Sequence, residues 1–250
     1  MMPKVRGPLQ SQLRSELRTL LRNGEQLLLT LVIPIGILAF FSRIDVLPSG
    51  DPDVFAEPVD FLTPGVLALA IMSSAMVSTG IATGFERGYN VLKRLGTTPL
   101  GRPRWLIAKI ASILCVQVIQ FAILVPVALG LGWDPGRADW AKAAAAVALG
   151  TSAFAGIGLF LAGRLRAEIN LAVQNLLFLV LLVSSGMVIP LDELPDSVAS
   201  FARFLPSGAL ADILRDALVG GGANIPRTWL VLIGWAVIAP SITAITFRWE

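Results

Sequence analysis

Between Phe61 and Thr83 the chain runs FLTPGVLALAIMSSAMVSTGIAT without one charged residue, and then meets Glu86, Arg87, Lys93, Arg94, Arg102, Arg104 and Lys109 in quick succession. About 20 apolar residues in a helix cross a hydrocarbon core of about 30 Å. Dense Lys and Arg beside such a run mark the cytoplasmic side of a membrane. This one junction therefore predicts both a membrane span and its direction.

The same pattern recurs. Apolar runs over Leu27–Phe41, Phe61–Thr83, Leu106–Leu131, Lys142–Gly163, Ile169–Pro190 and Thr228–Phe247 predict six spans in one membrane domain over residues 1–250. The composition agrees: 55% of residues are hydrophobic and 15% charged, against about a quarter charged in a soluble domain. The expected fold class is an all-α integral membrane protein. With the N-terminus placed in the cytoplasm, fourteen of the twenty basic residues fall inside, and six spans return the C-terminus there too. Residues before Leu27 carry no apolar core and no small-residue cleavage site, so the first run is expected to stay in the mature protein.

Residues 1–26 place Leu9, Leu13, Leu17, Leu20 and Leu21 beside a stripe of Arg14, Arg18 and Arg22. That reads as an amphipathic helix, lying on the inner membrane face or packed on a partner subunit. Residues 191–227 carry two further amphipathic stretches separated by Pro206-Ser207-Gly208, each too short to span. A pair of this kind rests on the outer surface or dips into it as a re-entrant element.

Several functions are excluded by what is missing. The chain has no histidine and a single cysteine, Cys115, so it can build neither a disulfide nor an imidazole- or thiol-based metal site by itself. It has no phosphate-binding glycine loop. Its basic residues are dispersed over loops rather than gathered into a patch, so no nucleic-acid partner is expected. No span has an ionisable group at its centre, which points away from proton or ion coupling and towards an external energy source. Asp192, Glu193 and Asp196 could serve a membrane enzyme but read more simply as a solvated loop.

The polar residues inside the spans leave two readings open. Gln117, Gln120, Asn170, Gln174, Asn175 and Ser184 can act as interhelical hydrogen-bond glue, or Gln117, Gln120, Gln174, Asn175 and Ser184 can line a substrate path. Gly80, Gly84 and Gly88 form a stripe at i, i+4 and i+8, suited to close helix packing or to a hinge.

Two stretches carry a family resemblance. Pro64-Gly65-Val66 followed by ERGYNVLKRLGTTPL from Glu86 to Leu100, and GMVIPLDELP followed by FLPSGALADILRDAL, resemble the permease subunits of ABC transporters of the type-2 export superfamily, especially small six-span permeases of bacterial drug exporters. Gly88 and Asn90 depart from the family pattern, which has an acid and a glycine there; asparagine tolerates positive φ, so the turn is expected to survive. The resemblance implies that Glu86, Arg87, Val91, Leu92, Lys93, Arg94, Leu95, Thr98, Pro99 and Leu100, within a cytoplasmic segment over residues 84–105, dock on a separate ATPase. Val91, Leu92 and Leu95 are the expected apolar knob.

The second stretch implies an external helix pair, with Pro190, Pro195, Pro206 and Arg215 among the matching positions. Phe201, Phe204, Leu210 and Leu214 are its expected apolar face. The implied protein is a non-enzymatic permease of the bacterial cytoplasmic membrane. It binds no cofactor; ATP and Mg are expected on ABC ATPase partners, alongside a second permease subunit, identical or homologous, and membrane lipid. Its implied cargo is an amphipathic drug, antibiotic or lipid-like molecule. Export of a polysaccharide or lipid precursor, or a non-transporting membrane anchor, are the alternatives.

Overall fold

A computed structural model of the chain describes residues 24–43, 55, 57–96, 102–136, 138–220 and 225–247. Its helices are α1 (Gly24–Phe41), α2 (Pro58–Gly88), α3 (Val91–Gly96), α4 (Arg102–Gly130), α5 (Trp140–Ala162), α6 (Ala167–Ser184), α7 (Asp196–Ala202), α8 (Pro206–Leu218) and α9 (Ile225–Thr246). No strand occurs among the described residues. Five helices, α2, α4, α5, α6 and α9, are long and apolar enough to cross a membrane, and α1 adds a shorter apolar stretch over Leu31–Phe41. The protein is thus an all-α, multi-pass membrane protein. The amphipathic helix expected over residues 1–26 lies outside the described residues except for Gly24–Gln26, which open α1.

Local chemistry sets the helix ends. Pro58 occupies the first turn of α2, where its missing N–H costs nothing, and the Asp60 carboxylate accepts the Glu57 N–H at 3.3 Å. Asp139 caps α5 by accepting the Lys142 N–H at 3.0 Å. The apolar run expected to continue to Pro190 stops as helix at Ser184, because Gly186 takes φ 69° and turns the chain. Pro190 therefore stands beyond α6, ahead of a short 3-10 turn at Leu191–Glu193.

Small residues place α2 at the centre. It is the most buried span, whereas α6 and α9 are the least buried and turn Leu176 and Val183, and Leu230, Val237 and Ile245, outward. An apolar rim around a tightly packed interior is what a bilayer requires, since lipid offers no hydrogen bonds but welcomes aliphatic side chains.

The two helices of the pair differ in burial. α8 is buried along nearly its whole length, packed on α5, α2 and α9. At its upper end the Ala217 carbonyl accepts the N–H of Asp139, just before α5, at 2.6 Å. Near its lower end Leu210 fills the space beside Gly150, where an added Cβ would lie 2.8 Å from the Leu210 side chain. Gly150 is ten residues into α5, about 15 Å along it. α8 thus packs deep among the spans, whereas α7 is largely exposed.

Candidate functional site

Two ends of the bundle hold the charged chemistry. At the end where α2, α3, α4, α5 and α9 meet, Asn90 adopts φ 58° and turns the chain from α2 into α3. Asparagine takes this conformation at less cost than most residues, so the turn does survive the departure from glycine. The short helix α3 is held by Leu92, which is fully buried with Trp105 of α4, Leu159 of α5 and Phe247 just past α9. Trp105 and Phe247 pack with ring centroids 5.2 Å apart.

This corrects the expected docking knob. Leu92 is an internal anchor, and the outward face is formed by Tyr89, which is 72% exposed, with Val91, Lys93 and Arg94. Glu86 and Arg87 are also committed within the chain. Both Glu86 carboxylate oxygens accept from Lys109 Nζ at 2.9 Å, and Lys109 is itself only 3% exposed. Arg87 donates to the carbonyls of Ala162 at 2.9 Å and Leu165 at 3.2 Å, tying α2 to the α5–α6 turn. A cation on the last carbonyls of a helix is favourable for the helix dipole as well as for hydrogen bonding. Leu95 belongs to α3 but its side chain is outside the described residues, as are Thr98, Pro99 and Leu100.

The pairing of Glu86 with Lys109 was missed from the sequence, although a signal for it was present. Glu86 is the single acid between Asp60 and Asp134, and Lys109 is the base that reaches farthest into the third apolar run. Nothing in local periodicity, however, brings Trp105 and Phe247 together, since they are separated by most of the chain.

The polar residues of the spans make hydrogen bonds within and between helices. Gln117, almost fully buried, accepts from Thr151 Oγ1 at 2.6 Å and donates to Ser74 Oγ at 3.1 Å, joining α4 to α5 and α2. Gln174 donates to the Gly158 carbonyl at 2.9 Å and to Asn170 at 3.3 Å. Asn170 donates in turn to the Gly80 carbonyl at 2.9 Å. Gln120 is buried, Asn175 is exposed and bonds its own helix at the Leu171 carbonyl, and Ser184 bonds the Val180 carbonyl. For Gln117 and Gln174 the glue reading holds.

The glycine stripe explains the register of this glue. Gly80 and Gly84 leave the hollows that Gln174 and Asn170 fill; a Cβ at Gly84 would lie 2.5 Å from Asn170 Nδ2. Two i, i+4 pairs thus interlock, one of absent side chains and one of amides.

At the opposite end the buried Arg215 of α8 donates to the carbonyls of Gly186 and Met187 and to Asp212 at 3.4 Å. Its guanidinium lies 4.1 Å from the Phe61 ring centroid. A buried arginine needs such a set of acceptors, and the planar guanidinium supplies both hydrogen bonds and a face for the ring. Burial pushes the Asp212 carboxyl up to about 6, with Arg215 and then Arg203 pulling it back. The expected apolar face of the helix pair is split. Leu210 and Leu214 are buried, whereas Phe201 and Phe204 are more than half exposed. Pro206 opens α8, Pro190 is buried in the turn, and Pro195 is exposed ahead of α7. Trp235 of α9 donates to the Phe204 carbonyl at 2.9 Å, holding the corner between α7 and α8.

Known proteins are similar to this chain in sequence. Residues 9–219, more than four fifths of the chain, match the family described as ABC-2 type transporter. Over 233 residues the chain is 24% identical to the putative transport permease YvfS of Bacillus subtilis (strain 168), covering 92% of this chain and 93% of that protein. Over 188 residues it is 30% identical to the linearmycin resistance permease protein LnrN of the same organism, covering 73% of this chain and 46% of that longer protein. The five long apolar helices, the shorter apolar α1 and this match agree, and the chain is a membrane component belonging to the ABC-2 type transporter family.

Proposed function

We propose that this chain is the membrane-spanning permease of an ATP-driven exporter. It works with separate ABC ATPase subunits, which hold ATP and Mg, and with a second permease subunit, identical or homologous. Together they move an amphipathic drug, antibiotic or lipid-like molecule out across the bacterial cytoplasmic membrane, with both termini of this chain in the cytoplasm. The resistance permease among its relatives supports the antibiotic class of cargo, and the excess of basic residues at the α3 end supports the orientation.

One observation carries the coupling role. α3 is a six-residue helix that presents Val91, Lys93 and Arg94 outward, beside Tyr89 in the turn that precedes it, while its inward Leu92 contacts the ends of α4, α5 and α9. A push on the outward face is delivered directly to three spans, and through the Asn90 turn to α2. The apolar pair Tyr89 and Val91 suits a groove on the partner, with Lys93 and Arg94 setting orientation at the rim. ATP binding then shifts the bundle between two arrangements to the extent that the ATPase grips one of them better.

Tyr89→Asp combined with Val91→Asp tests this. Both side chains are outward, so membrane insertion and yield should be normal, while ATPase co-purification and export should fall at least about tenfold, the loss typical of a hot-spot pair. Retained co-purification and export would overturn the coupling assignment.

A further inference from the structure

The longest span is not one uniform helix. Ser73–Ser78, in the middle of α2, is π-helical, and the N–H of Thr79 reaches back to the Ser74 carbonyl. Thr79 Oγ1 donates to the same carbonyl at 2.9 Å. π segments are rare, amount to one residue inserted into an α-helix, and persist where surrounding contacts hold them.

Those contacts come from other spans. Ser74 Oγ donates to the Ala70 carbonyl at 2.9 Å and accepts from Gln117, which accepts from Thr151. Ser74, Gln117 and Thr151 thus form one buried chain across α2, α4 and α5. Beside it Gly158 of α5 sits flush on the π segment, where an added Cβ would lie 2.5 Å from the Met76 carbonyl oxygen.

The two parts of α2 on either side share α5 but otherwise have different neighbours. Pro58–Met72 packs also on α1, α4 and α8. Thr79–Gly88 packs on α5 and α6 and leads through Asn90 into α3.

We infer that Ser73–Ser78 is the joint through which movement at α3 reaches the buried helix α8, and that Ser74, Gln117 and Thr151 are positioning residues that hold its π register. The inference rests on the proposed coupling role of α3. A π turn can pass its extra residue along a helix by exchanging single hydrogen bonds, which rotates one half against the other without unfolding either. Hydroxyl and amide groups that offer alternative partners lower the cost of each exchange inside a membrane, where an unpaired backbone group is expensive.

Hydrogen exchange of the chain alone in lipid nanodiscs tests the joint. Amides of Ser73–Thr79 are expected to exchange about tenfold faster than those of Leu67–Met72, although both stretches are largely buried. Thr151→Val, which removes the hydroxyl at nearly constant shape, should raise the joint's rate several-fold further, and Thr151→Ser should restore it. Deletion of Ala75 should close the π turn to α-helix, keep both halves on their present faces and slow the joint to the rate of its flanks. Equal exchange in joint and flanks, or equal effects of valine and serine at Thr151, would overturn the inference.

A second measurement reads transmission. In a Cys115→Ser chain complexed with its ABC ATPase, nitroxides at Gly88→Cys, on the α3 side of the joint and outside the docking face, and at Ser197→Cys should change separation on adding ATP and vanadate, and deletion of Ala75 should abolish the change with the ATPase still bound. A preserved change in the deletion variant overturns the joint. Failure of the undeleted chain to bind an ATPase overturns the coupling reading instead.

Discussion

Two ionic side chains show how much depends on a partner across the bundle. Lys109 lies in the interior of the α3 end with Glu86 as its counter-ion at 2.9 Å and the Trp105 ring 6.0 Å away. Removing one member of a buried pair strands the other charge at a cost of about 3 to 5 kcal/mol, whereas replacing both with apolar groups is often neutral. Glu86→Gln is therefore expected to lower the unfolding midpoint in detergent sharply, and Glu86→Leu with Lys109→Met to recover most of it. Equal losses in single and double variants would mean the pair contributes shape rather than charge balance. Asp212 behaves differently, because burial raises its carboxyl from 3.8 to about 6 against the pull of Arg215 and Arg203. The folded chain then holds this proton more tightly than the unfolded chain does, so the stabilising contribution is present at low pH and lost as pH rises through that window. Thermal midpoints measured between about pH 4 and about pH 7 should decline through this window, and Asp212→Asn should flatten that part of the profile. An unchanged slope in the asparagine variant would remove Asp212 from the account.

Among the elements, α2 and α6 are joined by complementary absence and presence of side chains. Gly84 provides the hollow and Asn170 fills it, with Gln174 and Gly80 one turn away. Gly84→Ala forces its Cβ to 2.5 Å from Asn170 Nδ2 and should cost about 1 to 3 kcal/mol through overpacking, despite the better helix propensity of alanine. In an Asn170→Ala background the obstruction is gone, and the same substitution should become neutral or stabilising. A double-variant cycle on detergent stability measures this coupling; additive effects would show that the two positions do not meet. The glycine stripe was legible from sequence because spacing of four is a helix-face property that needs no knowledge of the partner. The placement of α8 was not. Leu210 and Leu214 alternate with Asp212 and Asp216 in a pattern that serves an exposed helix and a buried one equally, and the burial of α8 depends on the small space at Gly150 and on the carbonyls of Gly186 and Met187. The end of α6 was hidden for a similar reason: Val188 and Ile189 prolong the apolar run, while the turn depends on the left-handed conformation of Gly186.

For the whole molecule, the spans are read easily because a bilayer penalises every charge within them, so uncharged runs mark helices without help from tertiary contacts. The candidate docking face was only half legible. Periodicity groups Val91, Leu92 and Leu95, yet it cannot say which of them turns inward, and Leu92 does so because Trp105, Leu159 and Phe247 converge from three distant parts of the chain. The resulting account has α3 anchored inside by Leu92 and offered outside by Val91, Lys93 and Arg94, with Tyr89 beside them in the preceding turn. The most direct test is photo-crosslinking in intact cells, with a benzophenone amino acid placed singly at Val91, at Lys93 and at Leu92. The account predicts a crosslink from Val91 and Lys93 to an ABC ATPase and only intramolecular products from Leu92; capture of the ATPase from Leu92 with none from Val91 or Lys93 would contradict it.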